Sequence, residues 1–421
     1  MNLYILSLIL IYVGYLLIGS IIPAEYPTGE LPIFALSVNS LYLGIVIITL
    51  ALTDSKKLKG ILRKPNVYVN NKKLNKLIRI TLILSLIGTL FIAFDRIFIQ
   101  ELNYTKGFAY AREQLKTLEA KSAAPSSFFS VMGYFLMGMK FWTTYYLIKY
   151  YESIPNYRNL KLIIVLFLVL IDSVIIGGRT ILLYYISFSF CSFIIRKVNG
   201  RKILPQNNRL RRILRYSAVG FSVFVVFVFY QRASMNNTLP RMYAENFTYH
   251  LGGVPSEKFD TISSYNNAPQ LYFLSVTGMY IYHSMWSVQS VHDSSIREGQ
   301  VLFHYVNRIL YKFGLKKEAP KYYEFAGRFI TIPGALYHDF GLIGLINGLF
   351  IHVILLIISY LKLISNNLLS DGVFLTIASV TVLMFFHPAT EFLVFPLTLS
   401  SLALIWLINK LLNQFHLWKL V

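Results

Sequence analysis

The chain has one cysteine in 421 residues, and that one, Cys191, falls inside an apolar run. Neither a disulfide framework nor a Cys-based metal site can be built from it. Charge is scarce too: Asp and Glu number 19 against 40 Lys and Arg, and all four together make up only 14% of the residues. No soluble globular domain has that balance. The sequence also lacks a Walker A loop and a dinucleotide Gly-rich fingerprint, which speaks against a soluble nucleotide cofactor. It has no Asp-x-Asp, His-Glu-x-x-His or Cys cluster, and its histidines are scattered, so no metal and no other cofactor is expected. Internal repeats and low-complexity tracts are missing as well, and the 24 Gly and 14 Pro mark loops instead of domain boundaries.

What is present is oil. Hydrophobic residues make up 55% of the chain, and the mean hydropathy is +0.55. Apolar runs near 20 residues recur from end to end, each long enough to carry a helix across about 30 Å of hydrocarbon. The expected fold class is an all-α integral membrane protein with about ten transmembrane helices and one large loop on the far side of the bilayer. The spans are expected at Leu3–Ile22, Leu31–Leu52, Leu77–Ile99, Phe128–Lys149, Leu162–Ile176, Ile181–Ile195, Tyr216–Tyr230, Ile332–Tyr360, Val373–Phe386 and Phe392–Leu412. Three consecutive segments follow from this: an N-terminal bundle over 1–230, an outer loop over 231–331 and a C-terminal bundle over 332–421. The first apolar run starts without Lys or Arg and is too long for a cleaved signal, so it is read as a retained span.

The formal charge of +21 could suggest a nucleic-acid partner, so the placement of the cations decides the matter. The segments expected to face the cytoplasm hold 23 of the 40 Lys and Arg but only three acids, Asp54, Glu152 and Asp371. Positive-inside bias explains that asymmetry without nucleic acid. With an even number of spans, both termini are expected in the cytoplasm. One stretch tests the count: Leu271–Ser287 is apolar and aromatic, yet Gln270, Thr277, His283 and Gln289 interrupt or flank it. It is expected to lie at the interface instead of crossing.

Several residues could carry chemistry. Leu162–Ile195 reads as a hairpin of two short helices broken at Gly177-Gly178-Arg179-Thr180, where the glycines permit close backbone approach to a ligand. Arg179, with Arg232 and Arg328 flanking the outer loop, offers forked donors suited to a diphosphate, against the competing reading of solvated loop charge. His338 and Asp339 sit where a late span meets the outer aqueous face, a suitable place for a base, although helix capping is an equally simple role. Within the spans, Asp95, Lys140 and Asp172 are ionisable groups in hydrocarbon, with Lys140 and Asp172 a candidate pair of either structural or functional meaning. Their nominal depths differ by about 10 Å, so pairing needs the long lysine stem.

Two passages, Ile175-Ile176-Gly177-Gly178-Arg179-Thr180 and Tyr337-His338-Asp339-Phe340-Gly341-Leu342-Ile343-Gly344, together with the large loop between them, resemble the O-antigen polymerase (Wzy-type) family of bacterial repeat-unit polymerases. The resemblance implies a GT-C-like membrane glycosyltransferase. Its donor and acceptor would be undecaprenyl-diphosphate-linked glycans at the periplasmic face, with membrane lipid and a chain-length regulator protein as further partners. It points to Arg179 and Asp339 as site residues; His338, Arg232 and Arg328 are choices from chemistry. The rival readings are an O-antigen ligase on a similar scaffold and a lipid-linked oligosaccharide flippase, the second disfavoured by the missing inverted repeat and the long outer loop.

Overall fold

The computed structural model describes residues 2–53, 71–120, 128–154, 157–176, 180–204, 207–235, 239–264, 269–294, 299–312, 314–318, 321, 329–363, 368–386 and 394–417. It is predominantly helical. α1 (Asn2–Ile21) and α2 (Ile33–Thr53) precede α3 (Asn71–Phe94), whose end continues as a π-helical turn over Asp95–Ile99. α4 (Phe108–Ala120), α5 (Phe128–Met137), α6 (Met139–Lys149), α7 (Arg158–Ile176), α8 (Thr180–Val198) and α9 (Asn208–Met235) follow. Then come α10 (Pro240–His250), α11 (Glu257–Ser264), α12 (Pro269–Asp293), α13 (His304–Lys312), α14 (Ile332–Leu363), α15 (Leu368–Leu383) and α16 (Val394–Leu417). Among the described residues the only strands are β1 (Ala24–Glu25) and β2 (Val254–Pro255), paired antiparallel with Ala24 opposite Pro255.

Six helical stretches are long and apolar enough to cross a membrane: Asn2–Ile21, Ile33–Thr53, Asn71–Ile99, Arg158–Ile176, Thr180–Val198 and Ile332–Leu363. Two shorter apolar helices cover Ser370–Leu383 and Leu397–Leu412. The expected span at Phe128–Lys149 is divided between α5 and α6. Burial is the reverse of that in a water-soluble helix. On α1, Leu6, Leu10, Val13, Leu17 and Ile21 are exposed, while Tyr4, Leu8, Tyr12 and Tyr15 face inward. On α3 the inward face is Thr81, Ser85 and Thr89, and Ile83, Leu86 and Leu90 point out. Such helices place hydrocarbon outside and hydrogen-bonding groups inside, so the protein is membrane-embedded.

The chain packs as two compact units. The first comprises Met1–Ser55, Ser217–Ile357 and Val380–Phe392. Here Tyr12 and Ser40 share a hydrogen bond of 2.8 Å between α1 and α2. α12 packs against this pair. Toward its middle, a Cβ added at Gly278 would fall 2.7 Å from Ile22, just past the end of α1, and nearer its end Gln289 accepts from the Ala35 amide at the start of α2. Between them, Ser284 meets the Tyr15 hydroxyl (2.7 Å) and Met285 accepts from Asn39 (3.3 Å). α12 therefore packs against both α1 and α2.

α14 is not straight. Gly341 has φ 67° and ψ −161°, a backbone state open essentially to glycine alone. A Cβ added at Gly348 would sit 2.3 Å from the Leu336 side chain, twelve residues back, a separation of about 18 Å along a straight helix. Residues 332–340 therefore fold back against the following turns. What remains, 342–363, is about 33 Å long, which matches the bilayer, whereas 32 straight residues would reach about 48 Å. The expected single span from Ile332 is thus a short folded-back segment followed by a span.

The second unit comprises Lys56–Tyr216, Ile358–Ser379 and Leu393–Val421. Its centre is α6, every residue of which is buried. α3, α7, α8 and α16 pack around it. A helix enclosed on all sides must satisfy its own polar side chains, and α6 carries Lys140, Thr143, Thr144, Tyr145 and Lys149.

Candidate functional site

In the first unit, the folded-back segment of α14 starts with an ordered cap. Thr331 Oγ1 accepts from the Gly334 amide (3.1 Å), Pro333 occupies the first turn, and the Ile332 amide donates to the Met384 carbonyl (2.9 Å). This fixes His338 and Asp339 two turns later. The His338 Nδ1 is 2.7 Å from Asp339 Oδ1, and the Asp339 carboxylate also accepts from the amides of Val301 (3.0 Å) and Leu302 (2.8 Å). The two side chains are only 1% and 5% exposed. The carboxylate is thus engaged on three sides, and it orients the imidazole. With Nδ1 donating to Asp339, Nε2 carries the lone pair.

Beside this dyad lies a rim from α2 and α12. The rings of Phe34 and His292 stack at 3.8 Å with planes 10° apart, and Tyr337 leans against Phe34 at 4.9 Å. Asp293 accepts from the Tyr26 hydroxyl (2.6 Å) and from Gln289 (2.9 Å). His292 and Asp293 are exposed. Flat rings next to a carboxylate that keeps acceptor capacity make a surface able to stack on the C–H face of a sugar and bind its hydroxyls. His283, one of the polar residues that interrupt Leu271–Ser287, is a buried strut: its Nδ1 lies 2.8 Å from the Tyr280 carbonyl, and Nε2 accepts from the Phe329 amide at 2.6 Å.

Of the proposed phosphate-binding residues, Gly177, Gly178, Arg179 and Arg328 lie outside the described residues. Arg232 falls in the last turns of α9, and its side chain also lies outside them. No family model, curated protein or solved structure matches this chain. The site has to be judged on its own geometry.

The second unit adds an arginine that the sequence reading missed. Tyr104 donates to the Ile175 carbonyl (2.7 Å), two residues before Gly177. Burial pushes the Tyr104 hydroxyl up to about 12 against the pull of the Arg96 guanidinium. Arg96 itself bonds Gln100 (2.5 Å) and the Tyr134 hydroxyl (3.0 Å), and Gln100 in turn donates to Asp95 (2.8 Å). Asp95 is one of the ionisable groups within the expected spans, and its neighbour Arg96 is the signal beside it.

The same unit pairs Lys140 with Asp172, both fully buried. The lysine stem bridges the difference in nominal depth. A second pair joins Lys149 with Asp371 and the Tyr145 hydroxyl, although Lys149 is the last residue of an expected span and Asp371 reads as a cytoplasmic loop acid. At the same end of α6, Glu152 pairs with Arg196. Burial alone would raise the Glu152 carboxyl, but hydrogen bonding and charge from Arg196, with Arg201 behind it, hold it below the usual range. Among the described residues, no three His, Cys, Asp or Glu gather as a metal site.

Proposed function

We propose that the protein is a membrane glycosyltransferase that polymerises undecaprenyl-diphosphate-linked oligosaccharide repeat units. It would act at the periplasmic face of a bacterial inner membrane, on a GT-C-like scaffold of about ten spans. The observation that carries this reading is the His338–Asp339 dyad, anchored on three sides beside the Phe34–His292–Tyr337 rim and Asp293. A base held by a carboxylate next to an aromatic and acidic surface suits removal of a proton from a sugar hydroxyl.

In this reaction the acceptor hydroxyl attacks the anomeric carbon of the growing chain. His338 Nε2 takes the hydroxyl proton as the new glycosidic C–O bond forms, and the bond from the anomeric carbon to the diphosphate oxygen breaks. Asp339 holds the ring and stabilises the imidazolium, as a carboxylate does in other His-based catalysts. The lipid diphosphate leaves with the bonding electrons. Arg179, Arg232 and Arg328 are assigned to its developing charge, an electrostatic role that calls for no metal.

The test is deletion of the gene followed by complementation, with surface polysaccharide length as the readout. His338→Ala and Arg179→Ala are expected to reach the membrane at normal level and to leave single repeat units. Long chains of normal distribution in both variants contradict the assignment. Accumulation of lipid-linked polymer in the deletion strain would instead select the ligase reading.

A further inference from the structure

The second unit contains a cavity of about 470 Å³ lined by residues including Arg158, Arg196, Arg201, Lys202, Glu152 and Asn207. Its position follows from the helices around it: the C-terminal ends of α6 and α8 and the N-terminal ends of α7 and α9 meet there. Because α7 and α8 are candidate spans, their shared end lies at headgroup depth. This is the end that carries the basic segments around Arg158 and Arg196–Arg215.

The three arginines are held in place. Arg158 donates to the Tyr151 carbonyl (2.9 Å) and lies over the Tyr151 ring at 4.3 Å. Arg201 donates to the Lys149 carbonyl (2.9 Å) and lies over the Tyr150 ring at 5.2 Å. Arg196, almost fully buried, is taken up by the carbonyls of Lys202 (2.5 Å) and Ile148 (3.0 Å) and by Glu152. Glu152 is the single carboxylate among lining residues that include four cations, and it is shared between Arg196 and, at 3.9 Å, Arg201. A topogenic lysine or arginine needs only to be on the correct side of the bilayer. These guanidinium groups are instead stacked, braced and aimed at one space, as forked donors for an oxyanion must be. The start of α9 adds to the field, with Asn207 Oδ1 capping the Arg209 amide at 2.9 Å.

We propose that this cavity binds the phosphate of an anionic membrane lipid, with Arg158, Arg201 and Lys202 as its ligands. The site is independent of the glycosyl-transfer reading and lies in a different set of residues. Lipid is favoured over a free phosphate compound because the cavity opens among helix ends at the depth of headgroups.

The experiment measures melting of the purified full-length protein in neutral detergent during titration with phosphatidylglycerol, with phosphatidylcholine, and with inorganic phosphate. Phosphatidylglycerol is expected to raise the melting temperature saturably and phosphatidylcholine is not. In the double variant R158A/R201A half-saturation should weaken about tenfold or more, since charge-assisted bonds are lost. R158K/R201K keeps the charge without the fork and should be intermediate, which guards against a mere folding defect. R211A/R212A removes two exposed cations from α9 and should match the wild type. Protection by inorganic phosphate that competes with the lipid supports the same site with a free phosphate as a source. No protection by either anion, or equal weakening in R211A/R212A, overturns the proposal.

Discussion

The two units solve the problem of polar groups in oil differently. In the second, charges at depth are matched one to one on a single enclosed helix: Lys140 with Asp172, Lys149 with Asp371. In the first, apart from the His338–Asp339 dyad, neutral groups join the helices. Tyr15 meets Ser284 (2.7 Å), and a chain runs from the Tyr42 hydroxyl through His352 Nδ1 (2.7 Å) and Nε2 to Thr381 (2.9 Å). Four of its acidic and imidazole groups, His292, Asp293, His338 and Asp339, gather where α2, α12 and the folded-back part of α14 meet. Ionisable residues inside a membrane are functional candidates by default, but a charge sealed against its counter-ion on a fully buried helix has little left to do. The chemistry is better sought where a buried dyad adjoins an accessible rim.

The comparison can be broken most forcefully at the ion pairs. Lys140→Met leaves a buried carboxylate alone and should cost about 3–5 kcal/mol, whereas K140M/D172L should recover wild-type stability or exceed it. Thermal unfolding in detergent checks both; a stable single variant would mean that the pair is not structural. Next in size is Gly341→Ala, which forces a side chain into a glycine-only conformation at about 1–3 kcal/mol. It should shorten polysaccharide chains by shifting His338 and Asp339, and an unchanged melting point with normal chains would dissociate the kink from the site. Tyr26→Phe removes one partner of Asp293 at the rim and should lower stability by only about 0.5–1.5 kcal/mol.

The smallest effect concerns pH. Glu152 has a folded value below its ordinary one, so its pairing with Arg196 stabilises the protein fully above the usual carboxylate range, and the contribution is lost as pH falls through the folded value. Glu152 is half exposed, so the acid-side slope it adds should be shallow. Glu152→Gln should remove it; an unchanged acid limb in that variant would mean that the pair contributes nothing measurable.

The helices were legible because hydrocarbon demands long apolar runs, and α1, α2, α3, α7 and α8 fall close to where hydropathy puts them. α14 was not, because an apolar run does not say whether it is straight; the sign was Gly341, where only an achiral residue can turn the chain back. Hydropathy also divides the chain into consecutive segments, while packing groups residues far apart in sequence, such as Asp371 with Lys149. His338 and Asp339 could be named from their place at a span end, but not the amides of Val301 and Leu302 that hold the carboxylate, since those contacts cross from another segment. Asp371 was hidden because span-end residues count as loop, and Arg96 because inside the span Leu77–Ile99 only its neighbour Asp95 stood out.

The most direct measurement reconstitutes purified protein in liposomes with synthetic undecaprenyl-diphosphate-linked repeat units and follows chain growth. The account predicts that the wild type and K140M/D172L both extend the glycan, while His338→Ala, folded to the same melting point, leaves single units. Extension by His338→Ala together with silence from K140M/D172L would place the chemistry at the intramembrane charges and contradict it.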